Sequence, residues 1–421
     1  MERLEIKGKA ATAIVYAKVI EYEAVEQIRR MCDYEFAEGA KIRIMPDVHW
    51  GKGCTIGTTM TVRDKVVPNL VGVDIGCGMY TVNLGKKELD LAKVDKAAHI
   101  IPSGRQLWEG RQGKFDFTEL RCYRDLKNVK RIAKALGTLG GGNHFIEIDR
   151  AADGTNYLVI HTGSRSLGTQ VAEIYQSLAI DLAHGKAALF AARDEMIRRY
   201  KAEGRRAELQ EAIKELHRSF RPQKMTVPPD LAFLFGKYLD DYLHDIAICQ
   251  RFAELNREKI AEVMLAHLGI APSAAFHTVH NYIDTKEMIL RKGAIAAHQG
   301  ERVLIPINMR DGSILAVGRG DPEWNYSGPH GAGRLMSRTT ARERFTLEEF
   351  QKEMAGVYTT SIGEGTLDEA PMAYKSLADI IDVIRDSVDV IEVLKPVYNF
   401  KAGGPKGAVE ENEGGKEMLS L

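Results

Sequence analysis

The chain has 421 residues, which suits one large domain or two to three ordinary ones, each with a sizeable core. Its 44% hydrophobic and 28% charged residues are typical of a folded globular protein and exclude a mainly disordered chain. The 58 Lys and Arg balance the 58 Asp and Glu, so net charge excludes attraction of the whole molecule to nucleic acid. Any site for a polyanion must therefore come from a local patch.

Cysteine content and hydropathy indicate where the protein works. The five cysteines are scattered and odd in number, so they form no disulfide framework and favour a reducing, cytoplasmic setting. The N-terminus lacks an apolar signal core, and no apolar run approaches the ~18 residues that a membrane span needs. The sequence therefore predicts a cytoplasmic protein that has no membrane partner.

Short apolar runs between glycines dominate the chain up to about Asp153 and predict strands. The runs are KIRIMPDVHWG, CTIGTTMTV, VVPNLVGVDIGCGMYTVNL and NYLVIHTG. Two stretches between them, Val19–Cys32 and Asn128–Leu136, have a helical pattern.

Apolar residues recur at spacings of three and four from about Gly168 to His267, which predicts helices. Within this block, Gly185–Lys224 holds eleven Lys and Arg but six Asp and Glu. A solvated helix pair laced with ion pairs is the favoured interpretation. A helical arm that contacts phosphates is the alternative.

Strand-like runs return after Ile270, as HTVHNYID, GERVLIPINM and GSILAVGRG, and a helical segment is predicted at Leu377–Leu394. Strands on both sides of a helical block indicate the α+β class. Because no long Pro, Ser or Gly linker is present, we expect a single domain over residues 1–421 with a helical insertion at about 170–267.

Five glycine-rich segments at strand ends carry side chains suited to chemistry. They are Asp74-Ile75-Gly76-Cys77-Gly78, Gly140-Gly141-Gly142-Asn143-His144, His161-Thr162-Gly163-Ser164-Arg165, His280-Asn281-Tyr282 and His330-Gly331-Ala332-Gly333-Arg334. A lone Cys or His is more often a core residue, but this combination favours a metal site. Asp74 and Cys77 can converge on one ion if Gly76 adopts a positive φ.

The predicted ligands are one carboxylate, one thiolate and three imidazoles, from Asp74, Cys77, His144, His161 and His280. This set exceeds the four ligands of a structural zinc site. Two ions bridged by the thiolate would use it better and leave positions open for phosphates. Ligand chemistry alone allows Zn, Mn, Fe or Co.

His330 lies between a Ser-Gly-Pro turn and a Gly-Ala-Gly run, whose backbone N–H groups can approach a phosphate. Arg334 follows four residues later and can balance phosphate charge. This pattern indicates a nucleophile that accepts a phosphoryl or nucleotidyl group, and a tight turn with a buried His is the alternative.

In this order, the segments resemble those of RtcB-type RNA-splicing ligases, also called 3′-phosphate RNA ligases. The resemblance extends from about Met45 to Lys401. It rests on the motifs MPDVHWGKG, VGVDIGCGM, LGGGNHFIEI, HTGSRSLG, FAELNR, HNYID, RKGAI, HGAGRLMSR and LKPVYNFK.

The resemblance implies a single compact α+β domain with β-sandwich-like central sheets. It implies an enzyme that uses GTP and two Mn²⁺ ions to join an RNA 3′-phosphate or 2′,3′-cyclic phosphate to a 5′-hydroxyl. The RNA would be broken tRNA or another cleaved RNA, in repair or in splicing, and an accessory activating protein is a further partner to consider.

The resemblance also implies roles for single residues. Asp74, Cys77, His144, His161 and His280 would hold manganese, with Cys77 bridging, and His330 would become guanylylated. Arg165 and Lys292 would hold RNA or phosphate, and Asp47 would support the site from behind. The nucleotide would contact Asn143, Phe145, Glu147, Ser313, Ala332, Gly333, Arg334 and Lys401.

Three departures from the family pattern keep other functions open. Thr278 and Leu290 stand where the family commonly has His, and Ile307-Asn308-Met309-Arg310 replaces a usual Gly-Ser-Met-Gly loop near the nucleotide. One alternative is a metal-dependent cyclic phosphodiesterase or phosphatase without nucleotide transfer. Another is a non-catalytic RNA-binding protein on the same scaffold.

Overall fold

Two large β-sheets form the centre of the protein in the computed structural model, which describes residues 3–402 and 418–420. The strands are β1 Leu4–Lys7, β2 Thr12–Val15, β3 Val19–Glu21, β4 Ile42–His49, β5 Ile56–Thr61, β6 Lys65–Val66, β7 Gly78–Gly85, β8 Phe145–Arg150, β9 Asn156–Thr162, β10 Leu234–Phe235, β11 Ala274–Val279, β12 Asn281–Asp284, β13 Ile289–Lys292, β14 Ala294–Ala296, β15 Arg302–Asn308, β16 Gly312–Gly318, β17 Ser327–Pro329, β18 Val388–Lys401 and β19 Met418–Ser420.

Helices flank these sheets. They are α1 Tyr22–Met31, α2 Leu91–Ile100, α3 Val129–Lys134, α4 Arg165–Ala183, α5 Lys186–Ala202, α6 Leu209–Ser219, α7 Lys237–Leu268, α8 Arg338–Arg344, α9 Leu347–Glu353 and α10 Leu377–Ile384. None of the described helices has both the length and the apolar character that crossing a membrane requires.

The first sheet has the strand order β1-β2-β4-β5-β13-β12, and the second has β11-β7-β9-β8-β18-β16-β15. Among the described strand pairs, β2 and β4 are parallel and the others are antiparallel. Buried apolar side chains from both sheets and from α4 and α7 form the main cores. The fold is a single compact α+β domain, as expected.

The glycine-punctuated runs form strands β4, β5, β7 and β9, and Asn128–Leu136 contains α3. The stretch Val19–Cys32 is helical only from Tyr22, where α1 begins, because Val19–Glu21 forms β3 and pairs with β19. The apolar spacing between about Gly168 and His267 gives four helices, of which α7 is the longest at 32 residues. Helix α7 ends at Leu268, and Gly269 caps it with a left-handed φ of 70° and a backbone N–H that donates to the Leu265 carbonyl.

Helices α5 and α6 form a hairpin that contains most of the charged segment Gly185–Lys224. Leu189 is the one buried residue that the structure shows in the two helices. Ion pairs such as Arg198–Glu195, Arg205–Glu208 and Lys214–Glu211 lie along its exposed faces. The solvated, ion-paired surface that we favoured is therefore present.

The largest error in the predicted elements lies near the C-terminal end of the described chain. The segment Leu377–Leu394 was expected to be helical throughout, but α10 stops at Ile384 and Val388 begins β18. From Val388 onward the backbone pairs with β16. The residues Val388–Leu394 are rich in β-branched side chains, so their local pattern allowed a strand as well as a helix. Pairing with β16 selected the strand.

Candidate metal centre and cavity

The five predicted metal ligands lie at adjoining ends of neighbouring strands. Asp74 and Cys77 lie in the turn before β7, and His144 directly precedes β8. His161 lies near the end of β9, and His280 lies between β11 and β12. The antiparallel register brings these ends together, because Gly78 pairs with both Thr162 and Val279, and Phe145 pairs with His161.

The ligand atoms converge on the sulfur of Cys77. Its Sγ lies 3.5 Å from His144 Nε2 and 3.3 Å from His161 Nε2. His161 Nε2 is 3.2 Å from His280 Nε2, and His144 Nε2 is 3.6 Å from an Asp74 carboxylate oxygen. Ligands about 2.0–2.3 Å from a shared tetrahedral ion lie roughly 3.3–3.8 Å apart, so this spacing fits metal coordination.

Two overlapping sets of ligands are present, with Cys77 in both. One set is Cys77, His161 and His280, and the other is Asp74, Cys77 and His144; within each set the ligand atoms lie within 4.8 Å of one another. The donor atoms therefore fit two ions with a shared thiolate, as the sequence predicts.

Backbone carbonyls fix which nitrogen of two imidazoles faces the centre. His144 Nδ1 lies 2.9 Å from the carbonyl oxygen of Leu139, and His161 Nδ1 lies 3.1 Å from that of Asn143. Because a carbonyl only accepts, each Nδ1 must donate its proton. The lone pair of each Nε2 is then free for a metal ion.

Burial and charge also favour a cation. Burial and then the Asp74 carboxylate raise the pKa of the Cys77 thiol well above its ordinary value. Burial lowers the pKa of His161 to about 3 and that of His280 well below its ordinary value, so both rings are neutral. An ion at this place would stabilise the thiolate and bind the neutral rings.

Glycine allows the ligand turn to close. Gly76 has a φ of 75°, the positive value expected between Asp74 and Cys77. A Cβ at this position would lie 2.8 Å from the Ala253 side chain on α7. A larger residue would push the turn away from the helix and separate the ligands.

Two buried polar residues on α7 hold the ligand loops from behind. Asn256 Oδ1 accepts from the backbone N–H groups of Gly137 and Thr138, at 2.7 and 3.1 Å, and Nδ2 donates to the Gly163 carbonyl. One Arg257 nitrogen donates to the carbonyls of Gly76 and Thr162, at 2.7 and 2.8 Å. The quoted motif FAELNR contains both residues, but the sequence alone did not indicate this role.

We expect Asn256→Ala to weaken metal binding by roughly 10- to 100-fold, because the loops that carry His144 and His161 lose their common support. The backbone groups of Gly137, Thr138 and Gly163 would lose their hydrogen-bond partner, which should also lower the free energy of unfolding by about 2–3 kcal/mol. Metal titration followed by chemical denaturation would measure both effects.

Met264→Ala is the matched control, since Met264 is also fully buried on α7 but packs in an apolar core cluster about two turns further along the helix. It should cost about 2–5 kcal/mol of stability and leave metal affinity unchanged. Equal loss of metal affinity in both variants would contradict the positioning role of Asn256.

His330 faces the metal ligands and is held by Asp47. Its Nδ1 lies 2.6 Å from Asp47 Oδ2, which also accepts from the His330 backbone N–H at 3.2 Å. The His330 ring centroid is 4.8 Å from that of His280. Asp47 is fully buried, so its charge acts at short range on this imidazole. The arrangement leaves His330 Nε2 available as a nucleophile.

A cavity of about 750 Å³ joins His330 to the metal ligands. Its walls include most of the residues expected to bind nucleotide, namely Asn143, Phe145, Glu147, Ala332, Gly333, Arg334 and Lys401. Gly333 has a φ of 73°, and a Cβ there would lie 2.7 Å from the Asp47 carbonyl oxygen. Only glycine therefore lets the His330 loop lie against the strand that carries Asp47.

The cavity also contains a buried charge cluster that the sequence analysis missed. Glu369 is 2% exposed and pairs with Arg334, Arg338 and Lys401. Although burial opposes ionisation, these three cations hold the pKa of Glu369 below its usual range. Glu369 lies outside the glycine-rich motifs, so no local signal marked it.

Glu147 forms another part of the wall and is paired with a second buried acid. Asn399 donates a hydrogen bond to the Glu147 carboxylate. Burial and the nearby Asp149 raise the pKa of Glu147 well above its ordinary value, and burial raises that of Asp149 to about 6. A ligand that donates N–H groups to Glu147 would favour its ionised form.

Comparison with known proteins finds relatives over most of the chain. A family model described as tRNA-splicing ligase RtcB matches residues 27–121 and 110–402. RNA-splicing ligase RtcB1 of Escherichia coli strain ATCC 25922 is 32% identical over 404 residues, covering 86% of this chain and 90% of that protein. The chain belongs to the RtcB family. Among other RtcB relatives, tRNA-splicing ligase RtcB of Aeropyrum pernix is 27% identical over 444 residues, covering 81% of this chain and 83% of that protein.

Three of the residues that the RtcB resemblance assigns to nucleotide, RNA or phosphate do not line the large cavity. Arg165 donates to Thr138 Oγ1 and to the Gly104 carbonyl. Lys292 is buried, and its Nζ donates to the carbonyls of Lys52 and Asn69. Ser313 is fully buried, and its side chain lies beside the buried Asp149 carboxylate. Their roles toward phosphate and nucleotide stay predictions.

The loop that departs from the RtcB pattern is closed by its own hydrogen bonds. Asn308 Oδ1 accepts from the backbone N–H groups of Arg310 and Asp311, and Arg310 pairs with Asp311 and Glu353. Ile307, Asn308 and Met309 nevertheless line the cavity. The substituted residues therefore shape the cavity wall next to His330.

Proposed function

We propose that this RNA ligase uses GTP and Mn²⁺ to join RNA 3′-phosphate or 2′,3′-cyclic phosphate ends to 5′-hydroxyl ends. The covalent intermediate is GMP on His330. One observation carries the proposal. His330 lines the same cavity as ligands from the two sets that share Cys77, and its Nδ1 is held 2.6 Å from Asp47 Oδ2. RNA ligation agrees with membership of the RtcB family.

In the first step, His330 Nε2 attacks the α-phosphorus of GTP. A P–N bond forms, the bond from this phosphorus to the bridging oxygen breaks, and pyrophosphate leaves. Asp47 keeps the proton on Nδ1 and offsets the positive charge that the ring gains. The orientation of the His330 ring is thus fixed before the nucleotide binds, which lowers the entropic cost of aligning the ring with the α-phosphorus.

The metal ligands would hold two Mn²⁺ ions, which supply Lewis-acid stabilisation of the charge on the phosphates. Donors of the Cys, His and carboxylate types are compatible with Mn²⁺ as well as with Zn²⁺ or Co²⁺. The negative charges of Cys77 and Asp74 would offset part of the positive charge of the ions.

One wall of the cavity suits guanine. Glu147 can accept hydrogen bonds from the two adjacent N–H donors of a guanine edge, and Lys401 lies in the same wall. The Phe145 ring lies 5.7 Å from Lys401 Nζ and offers an apolar face. These three groups support GTP as the nucleotide.

In the later steps, the RNA 3′-phosphate displaces His330 from GMP, and the 5′-hydroxyl oxygen then attacks the activated end as GMP leaves. A cyclic end is first hydrolysed to the 3′-phosphate. Broken tRNA or another cleaved RNA is the proposed substrate, in the cytoplasm, and an accessory protein is a proposed activator.

The mass of the intact protein after incubation with GTP and Mn²⁺ tests the proposal. One guanylate should be added to the native chain and none to His330→Ala. His267→Ala is the control, because His267 is exposed on α7 and its Nδ1 contacts only its own helix. If the native chain stays unlabelled, the proposed first step is wrong.

The altered loop at Ile307–Asn308–Met309 supports a second candidate, a metal-dependent cyclic phosphodiesterase. That enzyme would open a 2′,3′-cyclic end without GTP, and this activity would persist in the His330→Ala variant. GTP-dependent joining of two RNA strands would exclude it as the main activity.

A further inference from the structure

A second cavity adjoins the first and shares one wall with it. It has a volume of about 390 Å³ and lies between α1 and the loop after β4. Trp50 and Lys52 line both cavities. We define the Trp50 ledge as residues Trp50–Gly53, which form this common wall. A strand that runs from the large cavity into the second one passes Trp50 and Lys52, which line both.

The ledge presents an aromatic ring at its open side. Trp50 is 39% exposed, whereas Trp324 is 2% exposed and stacks on Tyr16 inside the protein. A large exposed aromatic side chain beside a cavity is a common element of binding surfaces.

The backbone of the ledge is fixed before any ligand arrives. Gln27 of α1 donates to the Gly51 carbonyl at 2.6 Å and accepts from the Gly51 N–H at 3.3 Å. The Trp50 N–H donates to Glu21, and the buried Lys292 donates to the Lys52 carbonyl. A ring on so constrained a backbone loses little entropy when it binds.

The polar groups around the second cavity are largely occupied. Both ends of the Gln27 amide are used by Gly51, and the Asn69 amide donates to the Asp230 carbonyl. Arg30 forms two hydrogen bonds with the Asp230 carboxylate, at 2.8 and 2.9 Å. Base edges would find few free partners, so stacking without base selection is the interaction on offer.

One cation stays free on the ledge. Lys52 is exposed, and within the described part of the chain its Nζ has neither a hydrogen-bond nor an ion-pair partner. A single-stranded nucleic acid needs this combination, a base-stacking ring next to a cation for its backbone.

We propose that the Trp50 ledge binds the nucleotides that precede the terminal 3′-phosphate of the RNA, by stacking a base on Trp50. This strand is the one whose end must stay beside His330 during activation, and the ledge is continuous with that cavity. The inference rests on the proposed function, since that function requires a 3′-phosphate strand in the large cavity.

The test uses the full chain and a fluorescent single-stranded RNA with a 3′-phosphate, in the absence of GTP. Trp50→Ala should weaken binding on the order of 10- to 100-fold, equally for RNA ending in each of the four bases. Trp50→Phe should restore most of the affinity. Tyr123→Ala, at an exposed aromatic that lines neither cavity, should have no effect.

Tryptophan emission gives a second readout that does not depend on a destabilised variant. RNA should quench part of the emission of the native chain, and Trp50→Phe should remove that quenching. Persistent quenching in Trp50→Phe, or unchanged affinity in Trp50→Ala, would overturn the proposal. So would an effect confined to an RNA that carries only a 5′-hydroxyl end.

These outcomes are separate from those of the guanylylation test. If the native chain is not labelled by GTP, the proposed function fails, although the binding measurement still reports on the ledge. If the chain is labelled but Trp50→Ala binds RNA normally, only the ledge proposal fails.

Discussion

Replacing Cys77 by serine is expected to abolish binding of the two proposed metal ions and the proposed guanylylation of His330. Cys77 is the only residue in both ligand sets among the described residues, and its Sγ lies between His144 and His161. A serine hydroxyl stays protonated and cannot bridge two ions as a thiolate does. The loss should exceed the roughly 10- to 100-fold that removal of an outer-shell partner costs.

Metal content by elemental analysis and intact-protein mass after GTP would measure the two effects. In Co²⁺-substituted protein, the thiolate-to-cobalt absorption should be present in the native chain and absent from Cys77→Ser. Cys32→Ala is the control, because Cys32 is equally buried but lies in the core beside α1. Two ions bound to Cys77→Ser with native affinity would refute the bridging thiolate.

Asp47→Asn is expected to slow guanylylation of His330 on the order of 10²–10⁴-fold while both metal ions stay bound. Asp47 Oδ2 accepts from the His330 ring and from its backbone N–H. An amide of the same shape removes the negative charge that offsets the charged ring, and its NH₂ group can turn toward Nδ1. The rate of mass increase with GTP and Mn²⁺ would measure the effect.

Asp95→Asn is the matched control for this change. Asp95 is buried and accepts from Tyr398 and Thr360, but it does not line the cavity. It should lower stability and leave the guanylylation rate near the native value. If Asp47→Asn also loses its metal ions, or is labelled at the native rate, Asp47 does not act through His330.

The Asp47 result matters for the proposed function because it distinguishes a nucleophile from a buried turn. His330 was equally compatible with both interpretations in the sequence. The short contact to a fully buried carboxylate favours the nucleophile, since a purely structural histidine needs no buried negative charge. A rate effect without metal loss would establish that distinction in solution.

The sequence indicated the candidate metal ligands because each of them lies in a short local pattern, a glycine-containing turn or the end of a predicted strand. Gly76 adopts the positive φ that lets Asp74 and Cys77 converge, and His144 and His161 adjoin strands that their apolar runs predicted. The resemblance to the RtcB family rested on the same motifs, and the family comparison confirmed it.

Only the tertiary structure decided which distant residues complete the site. Glu369 joins Lys401 and Arg334 across the cavity, and Asn256 reaches loops more than a hundred positions away in sequence. The strand at Val388–Leu394 also depended on a partner, because its local pattern was equally helical. Local patterns specify turns, strand ends and ligand types, whereas long-range charge pairing, strand partners and shared cavity walls exist only once the chain has folded.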